Sequence, residues 1–106
     1  MTIYQDFNEF KKSKPDIAKR LLDYVDNGEW MNNELYYHDS LSDYAEYELT
    51  EGYYSNLGLD KDFRLAPNPL DYIDLESFGE ALSNSWDESC HWTNGEIVIE
   101  TGYGWW

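Results

Sequence analysis

Asp39, Asp43 and Glu46 are spaced so that a helix would carry their carboxylates on one side, within about 60° of one another, and Glu76 with Glu80 repeats the one-turn interval. Acidic side chains in such patterns can ligate hard cations, trade protons in pairs, or stand as fixed negative charge. Calcium needs oxygen ligands at alternating loop positions, a glycine at the sixth and a glutamate at the twelfth. The nearest candidate, Asp60-Lys61-Asp62-Phe63-Arg64, places an arginine at the fifth position and fails. Zinc is served no better: Cys90 and His91 are adjacent and His38 lies far off, whereas a closed site takes four ligands, usually in close pairs. Neighbours on a strand point to opposite faces, which argues against Cys90 and His91 as a nucleophile pair. Glycoside hydrolysis would set two carboxylates about 5–9.5 Å apart across a cleft, and nothing singles out two of the 22 acids. No glycine-rich phosphate loop is present. The expectation is a non-enzyme, with no catalytic residue, no metal ligand and no cofactor.

Fixed charge is the remaining chemistry. The chain of 106 residues has 22 acidic and 7 basic residues, a formal net charge of −15. Lys11, Lys12, Lys14, Lys19 and Arg20 crowd into one stretch, and no lysine or arginine follows between Leu21 and Asp60. Two carboxylates about 6 Å apart in water repel by roughly 0.7 kcal/mol before screening, so a one-signed surface costs stability. Solubility or a high-salt habitat is the plain explanation, but solubility is served by about 2–8 charges on a small domain. Duplex DNA is itself a regular array of negative charge, gripped mostly through lysine and arginine. Asp39, Asp43, Glu46, Glu76 and Glu80 are therefore the predicted phosphate-mimicking residues, filling the cationic sites of a basic DNA-binding protein. Tyrosines add contact area without positive charge. Such a surface is repelled by nucleic acid and by anionic lipid, so neither direct nucleic-acid binding nor a membrane partner is expected.

A second reading from the same composition is an immunity protein or antitoxin that neutralises a basic nuclease toxin, for which one acidic face suffices. A mimic needs charge along an extended path, and the acids continue from Asp23 to Glu100. A third is a scaffold whose terminal Gly-Tyr-Gly-Trp-Trp docks on a partner. The basic run Lys11–Arg20 complements the acids of a second copy, which leaves a homodimer open.

The elements that must position these residues read as a single α+β domain over 1–106, with about four short helices and a C-terminal β-hairpin. Residues 1–28 are expected to be helical. Thr2 and Gln5 have capping-box spacing, with Ile3, Phe7 and Phe10 on one face. Pro15 opens a second helix with Ile17, Leu21, Tyr24 and Val25 inward, ended by Asn27-Gly28. A third helix runs from about Ser40 to Glu51, with Leu41, Tyr44, Ala45 and Leu49 sharing an arc. Asn56–Asn68 reads as a loop. Asp74 caps a fourth helix whose Leu75, Phe78, Gly79 and Leu82 face inward. Strands over Trp86–Trp92 and Glu96–Thr101 flank a turn at Asn94-Gly95.

The run from Asn68 to Leu82, containing Tyr72-Ile73-Asp74-Leu75-Glu76 and Gly79, resembles the C-terminal segment of ArdA-type antirestriction proteins. There a Y-I-D-x-E-x-x-G-R-D-L run caps a helix that leads into a terminal hairpin. The acidic helix and glycine-containing turn from Tyr44 to Gly58 are similar to what precedes it in that family, and the likeness extends over residues 40–101. Family members are longer, with further small domains before this one, and their Arg-Asp after the glycine is Glu80-Ala81 in this chain. The resemblance implies an acidic DNA mimic that blocks restriction enzymes. It implies a phage or mobile-element origin and an anti-defence role against restriction–modification, BREX-like or CRISPR systems. One cysteine allows no internal disulfide, the N-terminal sixteen residues show no signal-peptide pattern, and no stretch nears about 18 apolar residues. A cytoplasmic location in the host cell is expected.

Overall fold

Asp6 accepts a hydrogen bond from the Glu9 N–H at 2.8 Å, and the Glu9 carboxylate reaches back to the Gln5 N–H at 2.7 Å. This capping pair opens helix α1 (Phe7–Ser13) four residues later than the Thr2–Gln5 spacing predicts. In this computed structural model, which describes residues 1–58 and 66–106, Thr2–Tyr4 instead form strand β1. Ile3 consequently leaves the helical face assigned to it and is exposed. Residues 59–65, which hold most of the predicted Asn56–Asn68 loop and the Asp60–Arg64 run, lie outside the described residues.

Pro15 stands at the first position of α2 (Pro15–Tyr24), as expected from its fixed φ and missing N–H. The buried arc runs from Leu21 through Val25 to Ala18, spanning about 60° at 100° per residue. Ile17 and Tyr24 fall on the other side of Leu21, so Ile17 packs at the margin of the core and Tyr24 is exposed. The helix stops at Tyr24, short of Asn27-Gly28. A 3-10 turn over Glu29–Asn32 then buries Trp30, whose indole N–H donates to the Asp26 carbonyl at 2.7 Å.

Strand β2 (Leu35–His38) follows, then α3 (Leu41–Thr50), α4 (Leu75–Ser85), β3 (His91–Thr93) and β4 (Val98–Thr101). The four strands make one antiparallel sheet in the order β1-β2-β4-β3. Thr2 pairs with Tyr37, Leu35 with Thr101, Tyr36 with Glu100, and Trp92 with Ile99. Sheet and four α-helices together make the α+β fold that the sequence predicts, with the terminal hairpin in place and two further strands on its far side.

Strand alternation separates two cores. On one face Tyr4, Leu35, Tyr37, Trp92 and Ile99 meet Phe7 and Phe10 of α1, Ala18 and Leu21 of α2, Trp30 and Trp105. Trp105 packs edge-on against Trp30 with centroids 4.9 Å apart and donates its indole N–H to the His91 carbonyl at 3.3 Å. The terminal aromatic run therefore splits, with Trp105 buried and Trp106 exposed. On the other face His38, Val98 and Glu100 lie beneath α3, where Tyr44, Ala45 and Leu49 are buried.

The hairpin is shorter than its sequence suggests. Ser89 donates from its N–H and hydroxyl to Asp87 Oδ1 at 2.9 and 2.6 Å, which holds Trp86–Cys90 in a turn in place of strand. Thr93 pairs with Val98, so the connection has four residues. Asn94 Oδ1 accepts from the Glu96 and Ile97 N–H groups, and Gly95 takes φ +97°. The molecule is elongated, 50 × 23 × 22 Å. Its radius of gyration is 15.1 Å, against about 13 Å for a rounded domain of this length.

Candidate functional site

Ser40 decides how the acids of α3 are distributed. Its hydroxyl oxygen accepts from the Asp43 N–H at 3.0 Å and caps the helix, which leaves Asp39 one residue outside. The helical interval therefore relates Asp43 to Glu46 but not to Asp39, which corrects the expected cluster of three. Asp43 and Glu46 line a depression of about 320 Å³ with Tyr47, Thr50 and Glu51. Asp39 turns instead toward α4 and shares a groove of about 290 Å³ with Glu76, Glu80 and Glu96.

One glycine makes that groove. Asp74 caps α4 through the Ser77 N–H at 3.1 Å and the Ser77 hydroxyl at 2.9 Å, so Glu76 stands in the first turn and Gly79 faces α3. A Cβ at residue 79 would lie 2.4 Å from the Leu41 carbonyl oxygen, an approach that only glycine permits. The start of α3 and the first turns of α4 are thereby drawn together, and the exposed Glu76 and Glu80 come round to Asp39. Glu96 is missing from the predicted set. Its signal was its place beside the Asn94-Gly95 turn, where an acid must stand at the hairpin tip.

The described lysines and arginines are Lys11, Lys12, Lys14, Lys19 and Arg20, on α1, α2 and the residue between them. Those helices cover the opposite face of the sheet from α3. Among the described residues no carboxylate pairs with a lysine or arginine, and the ion pairs present both join Glu100 to histidine.

That second cluster is buried and joins residues far apart in sequence. Glu100 on β4 accepts from His38 Nε2 on β2 at 2.6 Å and from His91 Nε2 on β3 at 3.0 Å. His91 Nδ1 faces the Asp87 carbonyl at 2.8 Å, so both ring nitrogens meet acceptors and the imidazolium is the form that satisfies them. Burial works against charge on His91, but the bonds to Glu100 and the Asp87 carbonyl outweigh it and raise its pKa above the ordinary 6.5. Burial likewise opposes ionisation of Glu100, and the two histidines overcome it, holding the carboxyl below its ordinary 4.5. Trp86 stacks on His91 with centroids 5.0 Å apart. His38 Nδ1 is buried beneath Tyr44 and Tyr47 with no hydrogen-bond partner among the described residues.

Cys90 precedes β3, so strand alternation does not part it from His91, and its sulfur lies 3.4 Å from His91 Nδ1. This corrects the expectation of opposite faces. Burial, with Asp87 and Glu100 nearby, pushes the thiol pKa up, the reverse of an activated nucleophile. Among the described residues no group of three His, Cys, Asp or Glu side chains is arranged to hold a metal ion, and no helix is long and apolar enough to cross a membrane. Comparison with protein-family models, with curated proteins and with solved structures yields no match.

Proposed function

We propose that the protein is an acidic DNA mimic, a non-enzymatic inhibitor that occupies the DNA-binding groove of a host defence protein of the restriction–modification, BREX-like or CRISPR kind. The observation that carries this reading is the acidic surface of α3 and α4, which has no lysine or arginine partner among the described residues. Asp39, Glu76, Glu80 and Glu96 ring one groove, Asp43, Glu46 and Glu51 line the next, and the described basic residues lie across the sheet. Carboxylates without internal partners remain available to the lysines and arginines that a DNA-binding protein aims at phosphates.

The dimensions agree with that role. A length of 50 Å corresponds to about 15 base pairs at roughly 3.4 Å each. A duplex of that length carries about 30 phosphate charges, so a net charge of −15 gives about half its linear density. Exposed Tyr53 and Tyr72 add contact area without positive charge. The resemblance of Tyr72–Leu82 to the ArdA-type run supports the same class, and Glu80-Ala81 in place of Arg-Asp makes this surface the more anionic.

Immobilised protein should retain DNA-binding proteins from a bacterial lysate, and duplex DNA should release them in proportion to its concentration. The retained activity should be inhibited competitively with DNA. Its salt dependence should be shallower than that of the partner's own DNA binding, because a less dense charge array condenses fewer counterions. Inhibition indifferent to duplex concentration would overturn the reading.

A further inference from the structure

Behind the acidic grooves lies a cavity of different character. It has a volume of about 490 Å³ and is walled by Tyr44, Tyr53, Tyr54, Trp86, Glu48 and His91. We propose that this cavity receives an arginine side chain of the protein partner, held among aromatic side chains and against Glu48. The identity of the partner rests on the DNA-mimic reading, whereas the chemistry of the cavity stands on its own walls.

Those walls are built. Tyr44 is buried and fixed by edge contacts to Trp86 at 5.5 Å and His38 at 5.2 Å. Tyr54 rests edge-on against Phe78 at 5.6 Å and against Tyr53 at 5.1 Å. Tyr53 itself is 84% exposed, a ring presented to solvent beside the opening. Glu48 is held in place by the Tyr53 N–H, which donates to its Oε2 at 3.2 Å. That position requires Gly52, where a Cβ would stand 2.9 Å from the Glu48 carboxylate. A carboxylate accepts several hydrogen bonds, so Glu48 retains acceptor capacity for a ligand.

The charge around the cavity selects the occupant. His91 reaches its wall, but the His91 proton is held against Glu100, and that pair contributes no net charge. Glu48 has no lysine or arginine partner among the described residues, so the cavity is anionic. An anion would be repelled, and a neutral apolar ligand would desolvate Glu48 without compensation. A cation is favoured by the ring faces and by the carboxylate together. Among cations a guanidinium suits best, because its plane stacks on aromatic rings while its fork of N–H groups meets a carboxylate. DNA-binding grooves present such arginines to phosphate. A desolvated arginine seated among aromatic side chains is the usual composition of an interface hot spot.

The test uses N-acetyl-arginine methylamide as probe, with the uncharged citrulline analogue beside it, followed by the Trp86 indole N–H resonance. The arginine probe should shift that resonance saturably in the millimolar range and the citrulline analogue should not. Glu48→Gln keeps an oxygen for the Tyr53 N–H, and Tyr53→Leu changes an exposed ring; each should weaken probe binding by at least about fivefold with the melting temperature retained. Equal binding of citrulline, absence of a saturable shift at Trp86, or Glu48→Gln binding within about twofold of wild type would overturn the proposal. The two readings fail separately. A partner released by duplex from wild type and from Glu48→Gln alike would remove the arginine site and leave mimicry standing. Saturable arginine binding with no duplex-competed partner would do the reverse.

Discussion

Replacing Gly79 by alanine tests the contact that assembles the acidic groove, and it sets two effects of opposite sign against each other. In an exposed helix interior the exchange stabilises by about 1 kcal/mol, because glycine loses more backbone entropy on folding. At residue 79 the new Cβ would stand 2.4 Å from the Leu41 carbonyl oxygen and 2.8 Å from its carbon, where ordinary contact begins at 3.4 Å. The helices must part by about 1 Å at this point, and a main-chain carbonyl cannot swing aside like the end of a side chain. Overpacking costs about 1–3 kcal/mol, and a backbone obstacle places this case at the upper end. After the helical gain is subtracted, a net loss of about 2 kcal/mol is expected, a drop of roughly 10 °C in melting temperature for a chain of this length. Urea and thermal unfolding followed by circular dichroism would measure it, with Ala81→Gly on the exposed side of the same helix as the control for propensity, expected to cost about 1 kcal/mol. Parting α3 from α4 also spreads Asp39 away from Glu76 and Glu80, so on the DNA-mimic proposal capture of a duplex-competed partner should fall at temperatures where the variant remains folded. A Gly79→Ala protein as stable as wild type, or more stable, would refute the close approach at Leu41 and with it the basis of the groove.

The Glu100–His91 pair should shape stability against pH. The raised His91 pKa contributes stability that is full below about 6.5 and lost as pH climbs through the folded value, while the lowered Glu100 pKa contributes above about 4.5 and is lost as pH falls. The melting-temperature gap between wild type and Glu100→Gln should therefore be widest between those values and narrow on either side. Trp105→Ala should cost about 3–5 kcal/mol in urea unfolding, because its ring is 1% exposed against Trp30, while Trp106→Ala at 62% exposure should change stability by less than about 0.5 kcal/mol. Combining Asp39→Asn, Glu76→Gln and Glu80→Gln should leave the melting temperature within a few degrees. The relief of the Glu76–Glu80 repulsion, about 0.2–0.5 kcal/mol, opposes the loss of a favourable charge at the start of α4, and partner capture should fall. Full capture by that variant would move the binding surface to Asp43, Glu46 and Glu51.

Helices α2, α3 and α4 were legible because their signals are local. Pro15, Ser40 and Asp74 mark their starts, and in α3 the buried Tyr44, Ala45 and Leu49 keep the helical period within one segment. The first two strands carry no such signal. Leu35 and Tyr37 enter one core while His38 is buried in the other, so the strand shows no alternation of polar and apolar residues to distinguish it. Strand β1 has three residues and is defined by its pairing with β2, and the capping-like Thr2–Gln5 spacing competed with it. The missed strands explain the missed cluster. Glu100 lies opposite Tyr36 and next to His38 only once β2 and β4 are paired, a relation between residues 62 apart in sequence. The acidic groove was half legible for a similar reason. The pair Glu76 and Glu80 follows from helical spacing, but their meeting with Asp39 and Glu96 depends on where Gly79 lets α4 lie.

The fold also accounts for how so one-signed a chain stays folded. Each exposed pair of neighbouring carboxylates costs roughly 0.7 kcal/mol before screening, whereas burying a large apolar side chain returns about 1.5–3 kcal/mol. Phe10, Leu21, Trp30, Leu35, Ile99 and Trp105 are almost wholly enclosed, so a handful of such side chains offsets many repulsive pairs. Basic residues could do the same work by pairing, and the described ones are placed away from these acids. All five that are described lie between Lys11 and Arg20, where the sheet and its aromatic core stand between them and the acids of α3 and α4. Dispersing those five charges among the acids would stabilise the isolated protein and occupy the carboxylates a basic partner must find free. On the DNA-mimic proposal, that placement leaves the acids of α3 and α4 to the partner. Adding a lysine to the groove by Ser42→Lys tests that proposal, and should raise the melting temperature while weakening capture of a duplex-competed partner. If capture survived the added lysine unchanged, the groove would not be the surface that partner reads.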